Sequence, residues 1–180
     1  IWPDFAYGKN AVYDAGHHGN AILSKYPIAR WDNEDISMHG SERRGLLHCE
    51  IAVPGWPHSL HCINVHLGLL GHWRKKQISL MKDRIEKLVP ANAPLVIAGD
   101  FNDWRRLASD ALVDSLNVSE VFETTSGRPA RSYPAILPVL HLDRIYVRGF
   151  SIELAHAHHG HSWSRVSDHI ALSARLIRKA

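Results

Sequence analysis

The residues best suited to chemistry stand where apolar runs stop. Leu95-Val96-Ile97-Ala98 is a continuous apolar run, too short for a buried helix, and reads as a strand covered on both faces before it ends in Gly99-Asp100-Phe101-Asn102-Asp103. Gly99 can take backbone angles closed to other residues. A carboxylate and a carboxamide two positions apart beyond a strand end can both point into one crevice, the usual place for ligands in α/β sheets. The plainer account is a turn capping the helix that follows, since Asn102 and Asp103 are both good N-cap residues. Three further segments end apolar runs in the same way: Asn64-Val65-His66-Leu67, Leu142-Asp143-Arg144-Ile145-Tyr146-Val147 and Ser167-Asp168-His169-Ile170. Four such segments in one chain are hard to assign to turns. Two more residues suit an anionic group. Asn20 stands at the entry of the run 21–23, where a turn role and a phosphate-contacting role both fit. Arg44, beside Gly45, either joins a solvated rim or presents a forked donor to a phosphate.

These side chains need elements to carry them. Residues 72–89 give the clearest helix, with Ile78, Met81, Ile85 and Leu88 recurring at three- and four-residue steps. Arg74, Lys75, Lys76, Lys82, Asp83 and Lys87 fall off that stripe and read as its wet face. A second helix is expected over 104–116 with Leu107, Ala111 and Leu112 facing inward. Strands are expected over 20–24, 46–53, 60–67, 95–98, 142–147, 152–157 and 169–176. Residues 1–19, rich in Gly, aromatics and His, read as loop with at most one short strand, and 30–42 as a connection. The stretch 118–140, broken by Gly127, Pro129, Pro134 and Pro138, reads as a long loop near a binding cleft. Helix following strand repeatedly, mixed with hairpins, argues for an α/β layered domain containing antiparallel strands. The ends at Asn20, His66, Asp100, Asp143 and Asp168 would then converge on one edge.

Composition sets the bounds. The 180 residues, 45% of them hydrophobic, are enough for one domain with a sizeable core. The balance of 21 basic against 18 acidic residues gives only +3, which neither demands nor excludes nucleic acid. No apolar stretch reaches the length of a membrane span. The opening Ile1-Trp2-Pro3 is neither an initiator Met nor a signal peptide, so the chain is expected to be a piece of a longer one. Fourteen histidines are a reserve of charge in mildly acidic conditions. His156, His158, His159 and His161 match no well-defined zinc spacing and read as a solvated loop. A hairpin centred between Gly55 and Trp56 would set Cys49 opposite Cys62, as two reduced, partly buried thiols.

Taken in order, Gly19-Asn20-Ala21-Ile22-Leu23-Ser24, Arg44-Gly45, Asn64-Val65-His66-Leu67, Gly99-Asp100-Phe101-Asn102, Leu142-Asp143-Arg144-Ile145 and Ser167-Asp168-His169 resemble the endonuclease/exonuclease/phosphatase superfamily from about Gly19 to the end. That resemblance implies a four-layer α/β sandwich of two packed, mixed and largely antiparallel sheets. It also implies divalent-cation-dependent cleavage of phosphate esters, with Mg2+ or Mn2+. Members carry an early strand with an Asn and a following strand with a metal-binding Glu, both ahead of anything in this chain. Glu34 and Glu42 stand in the wrong context to replace that Glu. The domain, 1–180, is therefore expected to lack its first strands.

A phosphate ester resists attack because its oxygens are anionic, so a site must neutralise charge, deprotonate a water and stabilise the departing oxygen. By resemblance, Asp168 offers the oxygen ligand that Mg2+ prefers, and Asp100 and Asn102 orient the water or bind a second ion. His169 touches the scissile phosphate as acid, base or charged clamp. Asp143 accepts from its imidazole N–H, fixing the tautomer and raising the pKa. His66 donates to a non-bridging oxygen, with Asn20 and Arg44 as outer phosphate contacts. Singly, each has a duller account: Asp143 paired with Arg144, Asp168 capping a turn, His66 a satisfied core histidine. The expected activity is hydrolysis of a phosphodiester or phosphomonoester by an activated water, on a small molecule, a lipid headgroup or nucleic acid. No obligate protein partner is expected. The rival from another class is a catalytically silent module of the same fold that grips a phosphorylated ligand. A lipid phosphodiesterase would need exposed apolar loops, for which Trp2, Trp31, Trp56 and Trp163 are candidates.

Overall fold

Strand β1 (Asp4–Tyr13), β2 (Gly16–Ser24), β3 (Ile28–Asp35), β4 (Gly45–Ile51) and β5 (Leu60–His66) precede helix α1 (Gly71–Leu88). They are followed by β6 (Leu95–Asp100), α2 (Leu107–Leu116), β7 (Ser119–Glu120), α3 (Val121–Ser126), β8 (Asp143–Arg148), β9 (Phe150–His158), α4 (His161–Ser164) and β10 (Ala171–Arg178). This computed structural model describes residues 1–105 and 107–179.

Six strands form one sheet in the order β3-β4-β5-β6-β8-β7. Its pairs are antiparallel except β5 with β6, where α1 supplies the crossover that a parallel neighbour requires. The period of two sends Leu46, Ile63, Val65, Leu95, Ile97 and Tyr146 to one face, where Ile78, Met81 and Ile85 of α1 and Leu112 and Leu116 of α2 close a single core. The opposite face is covered by two hairpins. β1–β2 lays Ala6 and Ile22 over Leu47, Cys49 and Ile51. β9–β10 lays Ile152, Leu172 and Leu176 over Val96, Ile145 and Val147. The architecture is thus the expected α/β sandwich, its second sheet present as two two-stranded pieces.

Several readings change. Residues 1–19 are not loop: Asp4 pairs with Ser24 and Tyr13 with Gly16 along a continuous hairpin, with a register break between Lys9 and Ala11. Its pattern was hidden because glycines make the close approach; a Cβ on Gly19 would lie 1.9 Å from the Gly8 carbonyl oxygen. The connection over 30–42 includes most of edge strand β3, whose polar sequence reflects its duty. Asp32 and Glu34 each hold a guanidinium nitrogen of Arg84 on α1 at 2.6 Å. Within 118–140 lie β7 and α3, the latter capped by the Glu120 carboxylate, which accepts the Glu123 N–H at 2.6 Å. On α1, Leu88 is exposed because the helix stops there and Val89 turns into the core instead. Arg74, read as wet face, is buried. Leu112 is buried as expected; the side chains of Leu107 and Ala111 lie outside the described residues. Cys49 and Cys62 do face each other as free thiols, and burial pushes them up to about 11 and about 12. His156 and His158 belong to β9, their rings stacked at 4.7 Å, rather than to a loop.

On the helix-facing side of the sheet, His48 Nε2 and His61 Nδ1 meet at 3.0 Å, both rings buried. One ring donates and the other accepts, so both cannot be protonated at once. Burial, reinforced by His61 and Arg84, lowers His48 from 6.5 to about 4, and burial also lowers His61. A folded-state pKa below the unfolded value means protons favour the unfolded chain. Stability is complete above about pH 6.5 and is lost as the pH falls towards 4. Urea unfolding at pH 7 and pH 5 should differ by about 2 kcal/mol from His48 alone, and His48→Leu should flatten that difference.

Candidate active site

Three neighbouring strands bring three of the chemical residues into a row. His66 ends β5, Asp100 ends β6 and Asp143 begins β8; His66 is the register partner of Asp100, and Asp100 of Asp143. Partners across a sheet share a face, here the one that carries the hairpins. His66 Nε2 stands 3.4 Å from Asp100 Oδ2. Gly99 is what lets the strands come this close at the edge. It has φ +142°, and a Cβ there would lie 2.0 Å from the Val65 carbonyl oxygen. Asn102 follows in the left-handed region at φ 49°, so the chain curls back. Its backbone N–H donates to Asp100 Oδ1 at 2.8 Å and its side-chain amide donates to the Leu67 carbonyl at 2.9 Å. Asn102 therefore works as a strut that fixes Asp100 and the start of the loop after His66.

His169 reaches the row from the segment before β10. Its Nδ1 lies 2.7 Å from Asp143 Oδ2, which leaves Nε2 as the atom able to meet a ligand. Two contacts orient the pair. The buried Ser132 hydroxyl accepts the Asp143 N–H at 3.1 Å, and the Tyr133 ring packs on the imidazole with centroids 5.0 Å apart. Asp168 is exposed beside them. His66, Asp100, Asn102, Asp143, Asp168 and His169 all line one open cleft of about 670 Å³.

Arg44 and Asn20 stand behind this row. Arg44 pairs with Glu42 at 3.2 Å, and its charge is felt by both His66 and Asp100. Asn20 is buried, its amide donating to the carbonyls of Gly45 at 2.8 Å and Asn64 at 3.1 Å, so that nitrogen clips hairpin β1–β2 to β4 and β5.

The local electrostatics are asymmetric. Burial, with the Arg44, His169 and His18 charges, pushes His66 down to about 4, so this ring is neutral at pH 7. His169 moves the other way, raised first by its hydrogen bond to Asp143 and then by the Asp143, Asp100 and Asp168 charges. Asp100 is raised by burial and by the neighbouring Asp143 carboxylate, against the Asn102 hydrogen bond. One imidazole is thus built to stay neutral, one is biased towards its protonated form, and one carboxylate is biased towards its neutral form in spite of the Arg44 and His169 charges.

Three further positioning residues were misread or passed over. Gln77, buried on α1, accepts the Gly68 N–H at 2.8 Å and donates to the Ile36 carbonyl at 3.1 Å. Arg74 donates to the Leu69 carbonyl at 2.6 Å, and the Glu42 carboxylate accepts the Leu69 N–H at 3.0 Å. Together they pin the loop that follows His66. The signal was present, since 74, 77, 78, 81 and 85 share one helical stripe.

The model of the endonuclease/exonuclease/phosphatase family matches residues 2–169. The chain belongs to the endonuclease/exonuclease/phosphatase family. The match begins ahead of Gly19, in keeping with the first hairpin being part of the fold. Among curated proteins, the uncharacterized protein YbhP of Escherichia coli K12 is 44% identical over 176 residues, which is 98% of this chain and 69% of YbhP. A crystal structure of a family protein from Beutenbergia cavernae superposes with TM-score 0.74 at 18% identity, covering 97% of this chain. This chain spans about half, 53%, of that protein. The mannosyl-6-phosphatase Bt3783 of Bacteroides thetaiotaomicron gives TM-score 0.72 at 17% identity, over 97% of this chain and 78% of its own.

Whether the family's divalent cation suits these residues can be judged from the donor set. Asp100 and Asp168 offer carboxylate oxygens and Asn102 a carboxamide, all hard donors of the kind Mg2+ takes. The raised Asp100 is a second sign, since a carboxylate pressed against Asp143 gains from added positive charge. Among the described residues no three His, Cys, Asp or Glu side chains are grouped tightly enough to form a closed cage. Asp100, Asp168 and Asn102 would therefore hold a cation in an open site, leaving room for water or substrate oxygens, rather than in a closed cage.

Proposed function

We propose that the protein is a divalent-cation-dependent phosphoesterase, which hydrolyses a phosphodiester or phosphomonoester bond by attack of an activated water. The observation that carries this reading is the Asp143–His169 pair at 2.7 Å set beside Asp100 in one cleft. Asp100, Asp168 and Asn102 would hold the cation, with Mg2+ or Mn2+ as the metals such oxygen donors suit. When bound, it supplies positive charge to the phosphate oxygens. Asp143 fixes the tautomer of His169 and raises its proton affinity, so His169 Nε2 presents a positively charged donor to the phosphoryl oxygens. His66, held neutral, donates one N–H to a non-bridging oxygen without adding a competing charge to that of His169. Asp100, oriented by the Asn102 N–H, is placed to align the attacking water and accept its proton. Arg44 contributes long-range positive charge from behind His66.

The test is hydrolysis of bis-p-nitrophenyl phosphate by the purified protein. Release of p-nitrophenol is expected with Mg2+ or Mn2+ and is expected to stop with EDTA. Metal-independent release would contradict the reading. No turnover, together with retained phosphate-ester binding, would favour the silent module.

A further inference from the structure

Around the mouth of the cleft the surface is unusually apolar for a site that handles phosphate. Leu69, Leu70, Ile136, Leu137, Val139 and Val166 are all exposed, with Ile136 at 87%, Val166 at 81% and Leu137 at 71%. Leu69 lines the catalytic cleft itself, and Ile136 and Val166 line an adjoining depression that shares Ser167 and Asp168 with it. Trp104 lines the cleft and Trp163 a third depression that shares Asp143 and His169, so apolar groups border the site on several sides. Of the four tryptophans singled out from the sequence, only Trp163 stands at the site; Trp56 packs against Phe150.

The exposed tip is held in place. Between Pro134 and Pro138 the Leu137 N–H donates to the Pro134 carbonyl at 3.1 Å and the Val139 N–H to the Tyr133 carbonyl at 2.9 Å. The Ala135 N–H donates to the Asp168 carbonyl at 2.6 Å, which ties the tip directly to the site. A pinned turn that displays Ile and Leu presents them to something.

Charge narrows the choice of partner. Segments 128–142 and 156–167, which supply Tyr133, Ile136, Leu140 and Val166 to this side, contain no Asp or Glu, and Asp168 of the site is the acid that follows them. Arg165 lines the depression that adjoins the cleft and exposed Arg105 follows Trp104 across it, while the exposed Arg128 and Arg131 line a further depression bordered by Pro138 of the same segment. We infer that the rim of the cleft docks on an anionic phospholipid surface, and that the phosphodiester delivered to His169 is that of a lipid headgroup. Cations draw the rim to the surface, and the aliphatic tip enters the acyl boundary while Trp104 and Trp163 sit at headgroup level. A polynucleotide is the weaker fit, because it rewards cations and planar stacking partners and has no use for a bare Ile-Leu tip. The substrate part of this inference rests on the phosphoesterase reading above; the docking part does not.

Vesicle flotation separates the two. With phosphatidylcholine vesicles containing phosphatidylglycerol the protein is expected to float, less so as salt rises, and to stay at the bottom with phosphatidylcholine alone. Ile136→Asp combined with Leu137→Asp should weaken flotation at least about tenfold, and Arg131→Glu with Arg165→Glu about tenfold. Both variants should keep wild-type hydrolysis of bis-p-nitrophenyl phosphate, which reports that they are folded. Absence of flotation, flotation unaffected by the variants, or binding to single-stranded DNA in place of vesicles would each overturn the docking proposal. Flotation without hydrolysis of any diester would leave the docking intact and remove the phosphoesterase reading, and with it the lipid headgroup as substrate.

Discussion

Replacing His169 by Ala is expected to lower kcat for diester hydrolysis by about a thousandfold, because one change removes both the positioned donor and the positive charge beside the phosphate. Asp143→Asn is the informative companion. The side chain keeps its shape, but the hydrogen bond that is the first cause of the raised His169 pKa becomes one to a neutral acceptor, and the Asp143 charge that adds to it is lost. If protonated His169 is the working form, activity falls as the pH rises through its pKa. Lowering that pKa should then move the alkaline limb of the kcat profile to lower pH, with a loss of about a hundredfold near neutrality. A purely structural role for Asp143 would reduce the amount of folded enzyme and leave the limb where it is. Unchanged kcat in His169→Ala would remove the clamp from the mechanism.

How much of this was legible in the sequence depends on whether local pattern or distant partners decided the outcome. The central strands were readable because they are buried on both faces and end abruptly: Leu95 to Asp100 and Leu60 to His66 show runs that no helix would need. Edge elements were not, since β3 is polar on account of Arg84, fifty residues away, and β1 is shaped by glycines that approach another strand. The six polar residues His66, Asp100, Asn102, Asp143, Asp168 and His169 of the cleft could be nominated one by one from strand ends, but their meeting depends on strand order, which places β6 between β5 and β8. Asn20 shows the limit of such nomination. An Asn at a strand entry suits a phosphate or a carbonyl equally, and only the fold sets Gly45 and Asn64 in front of it. The rim carried the opposite problem. Tryptophans drew notice by type, whereas the groups that the turn between Pro134 and Pro138 displays are Ile136 and Leu137, apolar residues that a sequence reading assigns to a core.

Asp100→Asn should separate stability from function in a way no other substitution here does. In activity the loss should be about a thousandfold, since the residue that would both hold the cation and align the water becomes neutral. In stability the sign is reversed. The pKa of Asp100 is raised by burial and by Asp143, so its ionised form is disfavoured in the folded state, and stability falls as the pH climbs from the ordinary carboxylate value through the raised one. At pH 7 with the metal chelated, Asn carries no charge and its Oδ1 can still accept the Asn102 N–H. The variant should then be more stable than the wild type by about 1 kcal/mol. Adding Mg2+ should raise the melting temperature of the wild type and leave that of the variant unmoved, because only a state that binds the cation gains from it. Thermal melts of both proteins with EDTA and with Mg2+ decide the matter. A variant that melts below the wild type in EDTA would mean that Asp100 holds the sheet edge together, and that the strain assigned to the two carboxylates is absent.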